Sequence, residues 1–222
     1  MNRTNLIPSL LGGLVASALA AVFLLPSAAL AVPSAAVPGT VSAGPHAPAI
    51  GVAADDPECT PAATMALEGR ASPYDSVAAS VGDARVKVCY GRPSARDRTM
   101  IGGENVPFGE LWRTGANEPT TLHVTAPIEV AGIALEPGSY SLYTRPGETT
   151  WELFLNSSVD RWGVPINQEV RSHEIGSAEL PRERPASHVE TMTFSFEEAS
   201  GDAAALVLEW EEFRVSIPIR AR

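Results

Sequence analysis

Residues 84–90 read Ala-Arg-Val-Lys-Val-Cys-Tyr, and this stretch decides the fold class. Its apolar side chains, Ala84, Val86, Val88 and Tyr90, alternate with the arginine, lysine and cysteine between them. Successive side chains of a β-strand point to opposite faces, so a period of two is typical of a strand with one face in the core. The stretch therefore predicts a half-buried strand.

The same alternation recurs along the chain in short segments that are separated by Pro/Gly-rich or acidic turns. Short strands joined in this way indicate an antiparallel sandwich or barrel. The pattern lapses at residues 164–175, where a short helix is expected, and Pro218 suggests an edge position or a bulge because proline has no N–H. We expect one all-β domain over residues 58–222, an antiparallel β-sandwich or a barrel-like sheet. The alternating segments are 121–125, 140–144, 151–155, 191–196, 206–210 and 213–219.

The N-terminal part has the features of an export signal. Arg3 precedes an apolar run at residues 6–25, and Ala29-Leu30-Ala31 resembles a cleavage site, so residues 1–31 are predicted to be a signal peptide. The apolar run is almost long enough to span a bilayer, which leaves an uncleaved membrane anchor as the alternative. Residues 32–57 are rich in Ala, Pro and Gly without periodicity and predict a flexible linker. We expect an exported protein, either periplasmic or extracellular.

The chain contains two cysteines, Cys59 and Cys89. In an exported protein an even pair favours a disulfide, and the alternative is two buried free thiols. On the chain-entropy view, closing a loop of about 30 residues would stabilise the fold by roughly 3–4 kcal/mol. Since Cys89 lies in a predicted strand, the bridge would attach the N-terminal segment to the sheet.

Composition and motifs exclude several classes of function. The net charge is −10, which argues against nucleic acid or an anionic membrane surface as a partner beyond the signal segment. The four histidines are scattered rather than set at ligand spacing, so neither a metal nor a cofactor is predicted. No nucleophile elbow and no phosphate-binding loop is present.

Polar side chains concentrate in the loop at residues 92–118, which is too rich in Gly and Pro for a regular strand. Arg92, Arg98 and Arg113 offer planar donor groups suited to carboxylate, phosphate or sulfate. Trp112 offers an apolar plate on which a sugar or an aromatic ring can stack. Loops on a rigid scaffold are common places for binding sites.

A tight turn is predicted at residues 114–117, where Gly115 or Asn117 would take a positive φ and expose backbone donors. Asn117 and Glu118 would then stand at the start of the next strand. Two interpretations of the loop remain equally open. The cluster is a ligand site, or it is a structural clamp in which Arg113 pairs with Glu110 or Glu118 and the neighbouring Trp caps the core.

The run Trp-Arg-Thr-Gly-Ala-Asn-Glu at residues 112–118 and further segments between residues 92 and 215 resemble the bacterial family called domain of unknown function 2911. The resemblance implies an exported β-rich domain and leaves the activity open. It extends over about residues 72–219, and its most specific part is the run Trp112-Arg113-Thr114-Gly115-Ala116-Asn117-Glu118. The matching segments are 92–94, 98, 101–102, 106–118, 135–144, 151–153, 156, 162–163, 210 and 215.

Three functional hypotheses follow. The first is a non-catalytic domain that binds a small polar or carbohydrate-like ligand through the polar loop. The second is an envelope hydrolase that uses Glu118 or Glu110 near Arg113 as acid or base. The third is a structural or protein-interaction module, which would present an exposed apolar patch or a sheet edge.

Overall fold

A computed structural model describes residues 56–61 and 66–222 of the chain. The predicted signal peptide lies outside the described residues, and so does the predicted linker apart from Asp56 and Pro57. Among the described residues, no helix has the length and apolar character needed to cross a membrane. From residue 74 onward the chain forms the expected β-structure.

Strands make up nearly all the regular structure, as the alternating pattern predicted. In chain order the elements are β1 (Tyr74–Val81), β2 (Ala84–Gly91), β3 (Thr120–Val124), β4 (Ile128–Val130), β5 (Ile133–Leu135), β6 (Gly138–Arg145), β7 (Thr150–Asn156), α1 (Gln168–Arg171), β8 (Glu174–Glu183), β9 (Val189–Ser200), β10 (Ala203–Glu211) and β11 (Phe213–Ala221). The helix lies within the interval predicted for it. Its N-cap, Asn167, accepts a hydrogen bond from the Val170 N–H.

The strands form one sheet in the order β1-β2-β3-β6-β7-β8-β11-β10-β9, and the short β4 pairs with β11 on one side and with β5 on the other. Every ladder between these strands is antiparallel. β8 pairs with β7 through residues 174–181 and with β11 through Arg182 and Glu183, so it passes from one half of the sheet to the other. The sheet curls until its edge strands β1 and β9 approach each other. Of the two predicted architectures, the barrel-like form is the one observed.

The core lies between the two halves of this curled sheet. β2 contributes Val86 and Val88, the inward side chains of the alternating stretch that predicted the fold. The opposite half contributes Leu206 and Ile217 from β10 and β11, and all four are at most 1% exposed. Burial of such side chains is the main favourable term in folding. The core includes also Tyr90, Leu122, Leu142, Leu153, Leu155, Met192, Phe194, Leu208, Val215 and Ile219.

Pro218 lies in an interior strand rather than at an edge. On one side β11 pairs with β10 throughout, with Pro218 opposite Ala205. On the other side the partner changes from β8, at Arg214 and Val215, to β4, at residues 219–221. Pro218 falls in the interval between these partners. The missing N–H is tolerated here because the ladder is already interrupted on that side.

The predicted disulfide is formed. Cys59 and Cys89 are bonded with their Cα atoms 5.9 Å apart, so the segment before β1 is attached to β2. A bridge of this kind is typical of proteins in oxidising compartments and supports the predicted export.

The outer face of the β2-β3-β6-β7 region is polar but not exposed to solvent. Thr121, His123, Ser141 and Asn156 are all buried there. The N-terminal segment covers this face through Cys59 and through ion pairs described below, and residues 157–173 cover the remainder. For example, the Asn156 side chain donates to the Val170 carbonyl at 2.7 Å. Two connecting segments therefore enclose a polar layer on the outside of the sheet.

Candidate functional site

The Thr-Gly-Ala-Asn turn is set by close backbone contact with the end of β2. A side chain on Gly91 would put its Cβ 1.9 Å from the Ala116 carbonyl oxygen, so only glycine fits there. Asn117 has a positive φ of 66°, as predicted for one of two positions, whereas the other positive φ is at Thr114 (55°) and not at Gly115. Thr114 tolerates this conformation while fully buried, because its hydroxyl lies 2.9 Å from the Thr144 hydroxyl.

Trp112 lies in the core. Its backbone N–H and C=O both bond to Thr144 of β6, so the two residues form an isolated antiparallel bridge. In this position the Trp112 ring is directed inward. The ring is 7% exposed, stacks on Trp210 with 5.6 Å between ring centroids, and meets Trp151 edge-on at 6.1 Å. These contacts correspond to the core-capping role in the clamp interpretation.

Glu118 points away from the core and binds Arg70. Both carboxylate oxygens accept hydrogen bonds of 2.8 Å from the two terminal nitrogens of this arginine. The pair is buried, with side-chain exposures of 2% and 3%. A fork-to-fork ion pair of this type satisfies a buried carboxylate well. The partner predicted for Glu118 in the clamp interpretation was Arg113, whereas the observed partner is Arg70.

Arg113 is half-buried and unpaired. Within the described part of the chain its guanidinium has no carboxylate partner, and its Nε is sealed from solvent without an acceptor. Burial lowers the pKa of the Arg113 guanidinium, and no nearby charge opposes that shift. Burying a cation without a partner is costly. Glu110, its other predicted partner, is exposed.

Arg161 is a second half-buried arginine, in the segment that follows β7. Its guanidinium donates to the carbonyl oxygens of Ser158 at 3.2 Å and Trp162 at 3.1 Å, and to the Ser141 hydroxyl at 3.3 Å. Burial lowers the pKa of Arg161. Carbonyl and hydroxyl oxygens hold the group in place without neutralising its charge.

Arg113 and Arg161 both lie next to Gly163. The Arg161 guanidinium lies 3.4 Å from the Gly163 carbonyl oxygen. A Cβ on Gly163 would come within 2.5 Å of the Arg113 Cδ and 2.4 Å of the Asn117 carbonyl oxygen. The Gly163 N–H donates to that same Asn117 oxygen at 3.1 Å. Glycine is required at position 163 because any side chain there would push the segment that follows β7 away from the turn at residues 114–117.

A cavity of about 350 Å³ opens beside Arg161. Ligand pockets typically begin at about 300 Å³, and this cavity lies at the lower end of their size range. Trp162 and His173 lie in its wall together with the cationic Arg161. The other lining residues are Ser158, Asp160, Val164, Pro165, Asn167, Glu169 and Val170. Residues 56–61 and 66–222 contain no group of three or more metal-ligating side chains.

Arg92 and Arg98, the remaining predicted site residues, contact other elements. Arg92 donates to the Met192 carbonyl at 3.0 Å and to the Thr193 hydroxyl at 2.9 Å, so it joins the end of β2 to β9. Arg98 is exposed and bonds to the carbonyl oxygens of its own turn. It lines a separate cavity of about 390 Å³. The polar loop thus contributes Arg113, Asn117 and Glu118 to one location, whereas Arg92 and Arg98 lie elsewhere.

Sequence reasoning missed Arg70 and Arg161. Arg161 directly precedes the Trp162-Gly163 pair that belonged to the family resemblance, so the signal was adjacent to it. Arg70 follows the Ala/Pro-rich region and lies in no alternating segment, so no pattern pointed to it.

Of the three comparisons with known proteins, only the one with family models finds a match. No curated protein and no solved structure matches the chain. A family model described as "Protein of unknown function (DUF2911)" matches residues 72–219, a range that contains β1 to β10 and most of β11, together with the Arg113, Glu118, Arg161 and Gly163 positions. The chain therefore belongs to the DUF2911 family.

Proposed function

We propose that this exported domain is a non-catalytic binder of a small polar or carbohydrate-like ligand that carries an anionic group, either in the periplasm or outside the cell. The ligand occupies the cavity beside Arg161, and its anionic group lies near Gly163. One observation carries the proposal: two half-buried arginines, Arg113 and Arg161, lie beside a single glycine, and neither has a carboxylate partner among residues 56–61 and 66–222. An external anion would supply the missing countercharge.

The chemistry of the cavity favours a sugar acid or a comparable hydroxylated acid. Guanidinium groups bind carboxylate, phosphate and sulfate through paired N–H donors. The Trp162 indole offers an apolar surface with one N–H donor, on which a sugar ring can stack. Asp160 and Asn167 add acceptors and donors for hydroxyl groups. A cavity of about 350 Å³ favours a ligand of one or two rings.

Binding is better supported than hydrolysis because the two proposed catalytic carboxylates are poorly disposed for proton transfer. A general acid or base needs to reach the reacting group and to change its protonation state. Glu118 is enclosed and has both oxygens occupied by Arg70, and Glu110 is exposed on a turn. A carboxylate that is bound by a guanidinium on both oxygens is suited to a structural or an electrostatic role rather than to proton transfer.

The proposal is tested by isothermal titration calorimetry with glucuronate, glucose and phosphate. We expect glucuronate to bind and glucose to bind at least about tenfold more weakly, since a hydrogen-bonded charge is worth roughly 1.5–3 kcal/mol. Arg161→Gln and Arg113→Gln should each lower the glucuronate affinity by a similar factor. Arg184→Gln is the matched control, because Arg184 follows the end of β8, is 71% exposed in its side chain and does not line the cavity.

The stability of the unliganded variants separates a ligand site from a clamp. Removal of an unpaired buried cation relieves a desolvation cost, so Arg113→Gln should leave the apo Tm unchanged or raise it. A large fall in the apo Tm, or glucuronate binding by Arg113→Gln equal to that of the wild type, would contradict the proposal.

A further inference from the structure

The buried ion pair between Arg70 and Glu118 joins two parts of the chain that have different roles. Glu118 belongs to the turn segment before β3, whereas Arg70 comes from the segment that precedes β1. Both hydrogen bonds are 2.8 Å long. The pair holds the N-terminal segment against the outer face of the sheet.

Glu118 also adjoins both unpaired arginines. Its backbone oxygen would lie 2.9 Å from a Cβ on Gly163, the same glycine that contacts the Arg113 Cδ. Glu118 and Arg161 line the same small void, together with Tyr74, Thr121 and the acidic Asp160. Glu118 is therefore a close neighbour of both arginines, with its carboxylate turned towards Arg70.

We propose that Arg70 is a positioning residue that keeps the anion site open by holding the Glu118 carboxylate away from Arg113 and Arg161. This inference rests on the function proposed above. A carboxylate buried without a partner is strongly unfavourable. Without Arg70, Glu118 turns to the nearest unpaired guanidinium and acts as an internal anion, which competes with the external ligand for the same charge.

The charges of Arg70, Glu118, Arg113 and Arg161 predict the direction in which each substitution changes the ligand affinity. With Arg70 in place, Glu118 is neutralised and two cations remain for the ligand. With Arg70 removed, one of those two cations is consumed by Glu118. With both removed, the two cations are free again. A simple structural role for the pair predicts instead that both single variants and the double variant weaken binding.

The test is glucuronate titration by calorimetry of the wild type, Arg70→Gln, Glu118→Gln and the Arg70→Gln/Glu118→Gln double variant. We expect Arg70→Gln to lose about tenfold or more in affinity. The double variant should return to the wild-type affinity, and Glu118→Gln should bind as tightly as the wild type or more tightly. Far-ultraviolet circular dichroism checks that each variant is folded.

The possible outcomes distinguish a failure of this inference from a failure of the proposed function. Unchanged affinity in Arg70→Gln, or failure of the double variant to recover, overturns the inference while the binding function stands. Glu118→Gln provides the readout if Arg70→Gln does not fold, and weaker binding by Glu118→Gln overturns the inference as well. No glucuronate binding by the wild type would overturn both the inference and the function on which it rests.

Discussion

His123 is a buried, neutral side chain on the outer face of β3. Its Nδ1 lies 2.8 Å from the Ser139 hydroxyl and its Nε2 lies 3.0 Å from the Thr121 hydroxyl. The side chain is 4% exposed. Burial lowers the pKa of His123 from 6.5, and the positive charge of Lys87 lowers it further. The folded protein thus disfavours protonation of this ring.

The depressed pKa predicts a pH dependence of stability. The unfolded chain takes up a proton near pH 6.5 and the folded chain does so only at lower pH. The contribution of His123 to the free energy of unfolding is therefore fully present above pH 6.5. It falls as the pH drops from there towards the folded pKa, by at most about 1.4 kcal/mol per pH unit. Denaturant unfolding of wild type and His123→Gln at several pH values measures the effect.

The variant should show a flatter pH profile between about pH 5 and pH 7, with exposed His188→Gln as the matched control. An unchanged slope in His123→Gln would show that another group is responsible.

At the residue scale, sequence patterns predicted which face a side chain occupies but not which partner it meets. Alternation correctly put Val86 and Val88 in the core. Trp112 lies outside any alternating segment, and its inward position depends on a bridge to Thr144, 32 positions along the chain. Glu118 was expected to pair with a near neighbour and pairs with Arg70. Long-range pairing is decided by the folded geometry and leaves no local pattern.

At the scale of elements, the sheet is closed by side chains and a short segment instead of a strand ladder. Pro93 and Ala95 exchange backbone hydrogen bonds with Met192 and Glu190 at the start of β9. The Tyr90 hydroxyl accepts from the Phe194 N–H at 3.1 Å. Together with Arg92, these groups satisfy β9 backbone groups that would otherwise be unpaired at a sheet edge.

Substitution of Arg92 should loosen this closure. Arg92→Gln removes the hydrogen bonds to Met192 and Thr193 and the 3.4 Å ion pair with Asp75. We expect a loss of about 1–3 kcal/mol in the free energy of unfolding, since a part-buried carbonyl is left unsatisfied. Hydrogen exchange should accelerate at residues 191–194 more than in β7. Exposed Arg220→Gln is the control, and equal protection of β9 in both variants would contradict this role.

Closure also explains why the sequence could not distinguish a sandwich from a barrel. Alternation predicted the positions of seven strands (β2, β3, β6, β7, β9, β10 and β11) but not those of β1, β4, β5 and β8. The difference between the two architectures lies in how β1 and β9 meet, and this contact depends on an irregular segment around Arg92 that has no period. The short helix was predicted only from a lapse in alternation, which indicates an interval but no boundary.

At the scale of the whole molecule, the N-terminal segment is fastened to the sheet at several points. The Cys59–Cys89 disulfide bonds it to β2. Arg85 of β2 pairs with Asp56, and the buried Arg70 side chain reaches Glu118. The segment carries no strand of its own within the described residues, so it depends on these attachments for its position.

Removal of the disulfide should lower stability through the unfolded state. The Cys59→Ser/Cys89→Ser variant releases a loop with a sequence separation of 30. We expect the free energy of unfolding to fall by about 3–4 kcal/mol on the chain-entropy view. Denaturant unfolding measures it, and wild type treated with reductant is the matched comparison. A variant as stable as the oxidised wild type would contradict the expectation.

The buried Arg70–Glu118 pair bears on how the domain should be produced in the laboratory. The family match begins at residue 72, after both Cys59 and Arg70. A recombinant fragment cut at that boundary would keep Glu118 but lose its cation, and would keep Cys89 as an unpaired thiol. Breaking a buried ion pair from one side costs about 3–5 kcal/mol, so such a fragment would be prone to misfold and to cross-link. Fragments intended for crystallisation or ligand screening should therefore begin at or before Asp56.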